Sequence, residues 1–143
     1  MSVSGSQRKV DPETSADDGR ATAERLLQSL VDLDSVPNGR HVSRLEHSLQ
    51  CASHAWRDGA DIDWIVTALL HDIGELFAPA NHDEFAAAIL RPYVREQCTW
   101  VAEKHGDFQK AYYGDADDRA RAQYVGEHYF EDCDQFCQRW DQD

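Results

Sequence analysis

Apolar residues recur every three or four positions along most of the chain, and this period predicts amphipathic helices. The first predicted helix begins at Arg20 and ends before Pro37, and the second extends from about Val42 to Asp58. No stretch shows the alternation of apolar and polar residues that is typical of half-buried strands. The pattern therefore predicts an all-α fold.

The third predicted helix, DIDWIVTALLHDIGE, has Asp61 as its N-cap and is apolar on almost every side. A helix of this kind is expected at the centre of a domain. Two further helices, NHDEFAAAILRPYV and REQCTWVAEKHGDF, are interrupted at Pro92, and DRARAQYVGEHYFEDCDQFCQRWDQD forms a last helical region. Residues 1–19 are rich in Ser, Asp, Gly and charge, which predicts a disordered tail. Residues 20–143 then form one helical domain.

Composition narrows the classes of function. The chain has 143 residues, of which 41% are hydrophobic, so it can bury a substantial core. Its formal net charge of -13 argues against a nucleic-acid partner, because binding to a phosphate backbone requires clustered Lys and Arg. No apolar run approaches the length of a membrane span and no signal peptide is recognisable. We therefore expect a cytoplasmic protein without a membrane partner.

The four cysteines do not predict a disulfide framework, because none is paired at CxxC spacing. They are Cys51, Cys98, Cys133 and Cys137. The last two lie four residues apart on one helical face and could bind a soft metal. No second Cys or His pair with zinc-site spacing accompanies them, so a structural zinc site is not favoured.

The stretch VTALLHDIGELF carries the main chemical signal. Its apolar run from Val66 to Leu70 is followed directly by His71 and Asp72. An unpaired carboxylate is costly to bury, so Asp72 needs a partner. One interpretation is structural: helix-terminal amides or an arginine satisfy Asp72, while His71 packs in the core.

Other histidines favour a metal site instead. Separate predicted helices carry one candidate ligand each, with a final carboxylate near the chain end: His47, His82, His105 and Asp141. Four imidazoles and two carboxylates could converge only in the core of a bundle, where such ligands form two-metal sites. Because adjacent side chains on a helix point about 100° apart, His71 and Asp72 cannot duplicate one another. One can serve a single ion while a carboxylate bridges two.

At this point the sequence resembles the HD-domain superfamily of metal-dependent phosphohydrolases and oxygenases. The order H…HD…D is the signature of that family, and here it reads His47, HD at 71–72 and Asp141. His82 and His105 stand where the two-metal members carry further ligands. The segments RLEHSLQCA, ALLHDIGE and RWDQD look like the mixed-valent di-iron oxygenases of the organophosphonate-cleaving and myo-inositol oxygenase type. The similarity covers about residues 40–143.

The resemblance implies a helical HD-domain bundle with a buried dinuclear site. One iron would be held by His47, His71, Asp72 and Asp141. Asp72, the residue expected to be catalytic, would bridge to a second iron held by His82 and His105. The Fe(II)/Fe(III) pair would use O2 to oxidise or cleave a small polar molecule.

Two alternatives stay open. One is a metal-dependent phosphohydrolase acting on a nucleotide or phosphomonoester, in which Mn or another divalent metal activates water. The other is a sensor or metal-dependent binding protein that keeps the fold and the site.

The chain departs from the phosphonate-cleaving pattern in three places. Pro37 and Arg40 stand where that enzyme has a Tyr and a Glu that cover the open iron position. Glu75 replaces a His or Lys that can meet an anionic substrate, so we do not expect a phosphonate. The segment HGDFQKAYYG replaces a lysine-bearing stretch. It leaves Gln109 and Lys110, together with Glu75, as candidate substrate-binding residues.

The remaining histidines, His41, His54 and His128, are interpreted as ordinary surface or partly buried residues. The chain ends two residues after Asp141, where relatives carry further residues. The resemblance therefore leaves open that the C-terminus is truncated.

Overall fold

A computed structural model describes residues 15–39, 41–112 and 117–142. Within these ranges the chain contains α-helices and short 3-10 turns and no strand, which confirms the all-α prediction. None of the described helices is both long and apolar enough to cross a membrane. The α-helices are α1 (Ser15–Asp32), α2 (Arg44–Arg57), α3 (Ile62–Leu70), α4 (His82–Leu90), α5 (Glu96–Gln109), α6 (Arg119–Ala122) and α7 (Phe130–Arg139). The 3-10 turns are Leu33–Ser35, Ile73–Leu76 and Pro79–Asn81.

Side-chain caps fix the start of the two helices that precede the His-Asp pair. The Ser43 hydroxyl accepts a hydrogen bond from the Glu46 N–H at 3.1 Å at the start of α2. The Asp61 carboxylate accepts one from the Trp64 N–H at 3.2 Å, as predicted for α3. Gly59, with φ of 77°, turns the chain between these helices in a conformation that favours glycine.

Two helical boundaries differ from the sequence prediction. Helix α1 begins at Ser15 rather than at Arg20, and Asp18 lies in its first turns, where a carboxylate suits the positive end of the helix dipole. The rest of the predicted tail, residues 1–14, lies outside the described residues. The last helical region is divided into α6 and α7, because Gly126 adopts φ of 93° between them.

The third helix ends earlier than its apolar pattern suggested. Helix α3 stops at Leu70, His71 is its C-cap, and Asp72 has φ of -103° and ψ of 9°, outside the helical region. The 3-10 turn Ile73–Leu76 follows at once. The His-Asp pair therefore lies at a bend in the chain and not on a continuous helix.

Helices α3 and α5 contribute side chains to both hydrophobic clusters of the core. In the first cluster, Leu70 and Cys98 pack with residues of α1, α4 and the turn after Asp72. In the second, Ala68 and Val101 pack with residues of α2 and α7. Polar groups carried by these helices are consequently enclosed by apolar side chains on several sides.

Candidate metal centre

The structure brings together the six residues that the sequence predicts as metal ligands. Five of them are buried, and their exposed fractions lie between 0% and 6%: His47, His71, Asp72, His105 and Asp141. The sixth, His82, keeps 19% of its side chain exposed. The cluster is therefore open to solvent chiefly on the His82 side.

The Asp72 carboxylate lies between two pairs of imidazoles. Its Oδ2 atom is 3.3 Å from His71 Nε2 and 3.5 Å from His47 Nε2. Its Oδ1 atom is 3.2 Å from His105 Nε2 and 3.5 Å from His82 Nε2. Each oxygen thus faces a different pair, the arrangement required of a carboxylate that bridges two ions.

Asp141 closes the cluster from the C-terminal side of α7. Its Oδ1 atom is 2.8 Å from His47 Nε2 and 3.2 Å from His71 Nε2. Its Oδ2 atom accepts a hydrogen bond from the Gln109 amide. Gln109, predicted to contact substrate, is therefore placed where it orients a candidate ligand.

Backbone carbonyl groups orient two of the histidines. His71 Nδ1 lies 2.7 Å from the Ala68 carbonyl oxygen, and His105 Nδ1 lies 2.6 Å from that of Ala102. Because a carbonyl only accepts hydrogen bonds, each Nδ1 atom carries a proton and donates it. Both rings consequently direct Nε2 toward the carboxylates, as metal-bound histidines do.

The cluster changes the protonation of its own members. Burial disfavours the charged form of His71, but Asp72 and Asp141 outweigh this effect and raise its pKa well above the usual value. The pKa of His105 is raised by its hydrogen bond to Asp72 against the same burial effect. Burial also opposes the charged carboxylates, yet His71 holds the pKa values of Asp72 and Asp141 below their usual range. A bound metal ion would replace these shared protons.

These shifts predict how pH affects the chelator-treated protein. A histidine with a raised folded pKa stabilises the fold below its unfolded pKa and loses that contribution as pH rises through the folded value. The lowered carboxylates stabilise above their unfolded pKa and lose that contribution as pH falls through the folded one. We expect the highest free energy of unfolding between about pH 4 and about pH 6.5, and a larger stabilisation by metal above that range.

Urea unfolding at both ends of this pH range, with and without chelator, tests the expectation. His71→Gln should flatten the pH dependence. His54→Gln, which changes an exposed histidine outside the cluster, should preserve it. A chelated protein that becomes steadily more stable as pH rises past neutrality would contradict this account.

Cys51 lies beside the cluster, although the sequence analysis assigned it no metal role. Its Sγ atom is 3.5 Å from His47 Nε2 and 4.0 Å from Asp141 Oδ1. The two residues could have been linked by their spacing, because Cys51 follows His47 by four positions on α2. Potential ligand atoms of four residues all lie within 4.8 Å of one another: His47, Cys51, His71 and Asp141.

The soft-metal site considered for Cys133 and Cys137 in the sequence finds no further ligands around these two cysteines among the described residues. Their sulfur atoms lie 3.9 Å from the carbonyl oxygens of Val101 and His105, respectively. Neither cysteine belongs to a potential metal-binding group among the described residues.

Glu75 is located beside His82 rather than in open solvent. Its Oε1 atom is 3.4 Å from His82 Nδ1 and 3.3 Å from Arg44 Nη1, and only 14% of its side chain is exposed. Its position is suited to orienting His82 through the ring nitrogen that faces away from Asp72.

Lys110 lies at the entrance side of the cluster. It lines a cleft of about 340 Å³ that also includes His82, and its ammonium group is 3.2 Å from Asp107 Oδ1. The same cleft contains a second lysine and several acids: Lys104, Asp83, Glu84 and Glu103.

None of the other described histidines belongs to a potential metal-binding group. His41, His54 and His128 are exposed, as predicted. Pro37 is exposed in the loop before α2, and Arg40 lies outside the described residues.

Fold and site together define an all-α protein whose buried His and Asp side chains are able to hold metal ions. Residues 44–141, more than half of the chain, match the HD domain family, and the chain belongs to that family. The matched region contains all six candidate ligands. No curated protein matches the sequence. HD domains bind divalent metals and are generally enzymes.

Proposed function

We propose that this protein is a di-iron oxygenase that uses O2 to oxidise or cleave a small polar molecule. The observation that carries the proposal is the position of Asp72. Its two carboxylate oxygens face two different imidazole pairs, at 3.2–3.5 Å from their Nε2 atoms. A single ion would not need a carboxylate with ligands on both of its sides.

The ligand types fit iron. Four imidazoles and two carboxylates combine nitrogen and oxygen donors, a set that suits iron and also manganese or zinc. When bound, an iron pair would supply the Lewis acidity that holds a substrate and an electron that activates O2, which then oxidises the organic molecule. The resemblance of the segments around His47, His71 and Asp141 to mixed-valent di-iron oxygenases supports iron over the other two metals.

The chain's own residues would hold the ligands and control access. Asp72 would hold both ions, and the carbonyl groups of Ala68 and Ala102 keep His71 and His105 in the metal-binding tautomer. Because the other ligands are buried, a substrate would approach from the partly exposed His82. Lys110 is then the predicted substrate residue that lines this approach, whereas Glu75 and Gln109 act through His82 and Asp141.

The charge of the cleft favours a neutral or cationic substrate. Four acids line it against two lysines. Each of these lysines has a carboxylate nearby: Lys104 is 3.7 Å from Glu103 and Lys110 is 3.2 Å from Asp107. Within the described part of the chain, this cleft therefore offers a phosphate no unpaired cation, which favours the oxygenase over the phosphohydrolase.

One observation favours the phosphohydrolase as the second candidate. The Arg44 guanidinium lies 3.3 Å from Glu75, close to His82, and its buried Nε atom has no hydrogen-bond partner. The Arg44 side chain is 19% exposed, so its guanidinium could donate to a phosphate oxygen. In this case a divalent ion such as Mn(II) would activate water for attack on phosphorus.

Electron paramagnetic resonance separates the two functions. Protein loaded anaerobically with Fe(II) and then partly oxidised should show the low-temperature signal of a coupled Fe(II)/Fe(III) pair. Small polar metabolites added one at a time should include one that changes the signal and starts O2 uptake. His82→Ala removes a ligand of one ion, and the single ion that remains cannot give the signal of a coupled pair. We therefore expect this variant to lose the signal.

A different outcome would support the phosphohydrolase instead. If no mixed-valent signal accumulates and the Mn(II)-loaded protein hydrolyses a generic phosphomonoester, the oxygenase proposal is wrong. Arg44→Gln should then reduce that hydrolysis, because it removes the guanidinium that would contact phosphate.

A further inference from the structure

We propose that Cys51 is an additional ligand of the metal position formed by His47, His71, Asp72 and Asp141. This position is called the thiol site below. The proposal rests on the metal centre proposed above but not on which reaction that centre catalyses. It goes beyond the histidine and aspartate ligands, because it adds a sulfur donor and makes the two metal positions chemically different.

The distance between the Cys51 sulfur and the nearer His47 nitrogen matches the distance between two ligands of one ion. Nitrogen and sulfur ligands at about 2.1 Å and about 2.3 Å from one ion lie roughly 3.1–3.8 Å apart for angles of about 90–120° at the ion. Cys51 Sγ is 3.5 Å from His47 Nε2, whereas it is 4.0 Å from Nδ1 of the same ring. The sulfur thus lies nearer the nitrogen that faces the carboxylates. His71 and Asp141 complete the group within the same 4.8 Å limit.

The fold holds Cys51 in this position. It lies one helical turn after His47 on α2, so the two side chains share a face. Cys51 is fully buried and His47 is 2% exposed. The enclosed sulfur atom therefore lies beside both His47 and Asp141, within reach of an ion that they would bind.

The other three cysteines provide a contrast. All four are buried. Among the described residues, Cys51 alone of the four belongs to a potential metal-binding group. Cys98 packs in the first hydrophobic cluster instead.

A sulfur ligand would set the metal preference of the thiol site. Thiolates favour softer ions such as zinc and disfavour Mg and Mn, which prefer carboxylate and water. The thiol must lose its proton to bind, so loading the thiol site releases one proton more than loading an equivalent site without it. The position held by Asp72, His82 and His105, which lacks sulfur, should accept Mn(II) more readily.

Cobalt substitution tests the proposal without any activity assay. The metal-free full-length chain, loaded with Co(II), should show the intense near-ultraviolet band of charge transfer from thiolate to cobalt. Cys51→Ser should lose this band, keep the weaker visible bands of bound cobalt and bind Co(II) about tenfold or more weakly. Cys98→Ser, a matched change at another buried cysteine, should keep both the band and the affinity.

X-ray absorption of the Zn-loaded wild-type protein gives a second measurement that requires no variant to fold. It should show sulfur at about 2.3 Å from zinc. Absence of sulfur scattering, or a charge-transfer band that persists in Cys51→Ser, would overturn the proposal. Failure of the oxygenase proposal would leave these spectra unchanged, so the two outcomes can be told apart.

Discussion

Asp72→Ala is expected to remove both metal ions, whereas His82→Ala should remove one. The difference follows from the geometry of the Asp72 carboxylate, because Oδ2 faces His47 and His71 while Oδ1 faces His105 and His82. Asp72→Asn keeps the shape of the side chain but removes its negative charge, and it should also lose most of both ions. Metal analysis after dialysis against a weak chelator measures the stoichiometry.

Asp72→Asn should also destabilise the metal-free protein. Removing one partner from a buried set of charged groups costs about 3–5 kcal/mol, because the remaining charges lose their compensation. Asp118→Asn is a control that changes the net charge equally at a side chain that is 58% exposed, and it should affect neither stoichiometry nor stability by much. An Asp72→Asn protein that keeps one tightly bound ion would contradict the bridging role.

The set of six candidate ligands could be chosen from the sequence because the choice depends on residue type and order. Imidazoles and carboxylates on separate helices could converge only in the core of a bundle. The HD pair at 71–72 then identified the order in which the other candidate ligands should occur. The all-α fold could also be predicted, because the recurrence of apolar residues every three or four positions is a property of the sequence itself. The capping of α3 by Asp61 was also predictable, since an N-cap is a local interaction.

Features that depend on the packing of distant elements were not predictable. Gln109 was predicted to contact substrate, whereas its hydrogen bond to Asp141, which lies 32 positions further along the chain, was not predicted. Glu75 contacts Arg44 and His82, and both contacts depend on how the turn after Asp72 packs against α2 and α4. The four-residue spacing of Cys51 from His47 is visible in the sequence, but the approach of Asp141 to the same sulfur atom is not, because Asp141 lies 90 positions away.

Gly74 shows how such packing bears on the metal centre. A Cβ atom built on Gly74 would lie 2.7 Å from the His82 Cα atom, 2.9 Å from its carbonyl carbon and closer still to its carbonyl oxygen. These are backbone atoms at the first residue of α4, so a rotamer change cannot relieve the overlap. The glycine is needed for close approach and not for an unusual backbone angle, because its φ is not in the left-handed region.

Gly74→Ala is therefore expected to displace the start of α4 and with it His82. The protein should lose the ion that His82 holds while keeping the ion at His47, and overpacking should lower the free energy of unfolding by about 1–3 kcal/mol. Metal analysis and urea unfolding check the two effects separately.

Gly106 and Gly19 serve as comparisons, because an added methyl group meets less steric overlap there than at Gly74. At Gly106 the added methyl group would meet the Asp83 carboxylate at 2.9 Å, and that side chain can move aside, so Gly106→Ala should have a smaller effect than Gly74→Ala. At Gly19 in α1 nothing lies within 4 Å of the added atom, so Gly19→Ala should be neutral or stabilise by up to about 1 kcal/mol through helix propensity. If Gly74→Ala binds both ions as well as Gly19→Ala does, the contact between this turn and α4 does not position His82, and the access side of the metal centre is held by other residues.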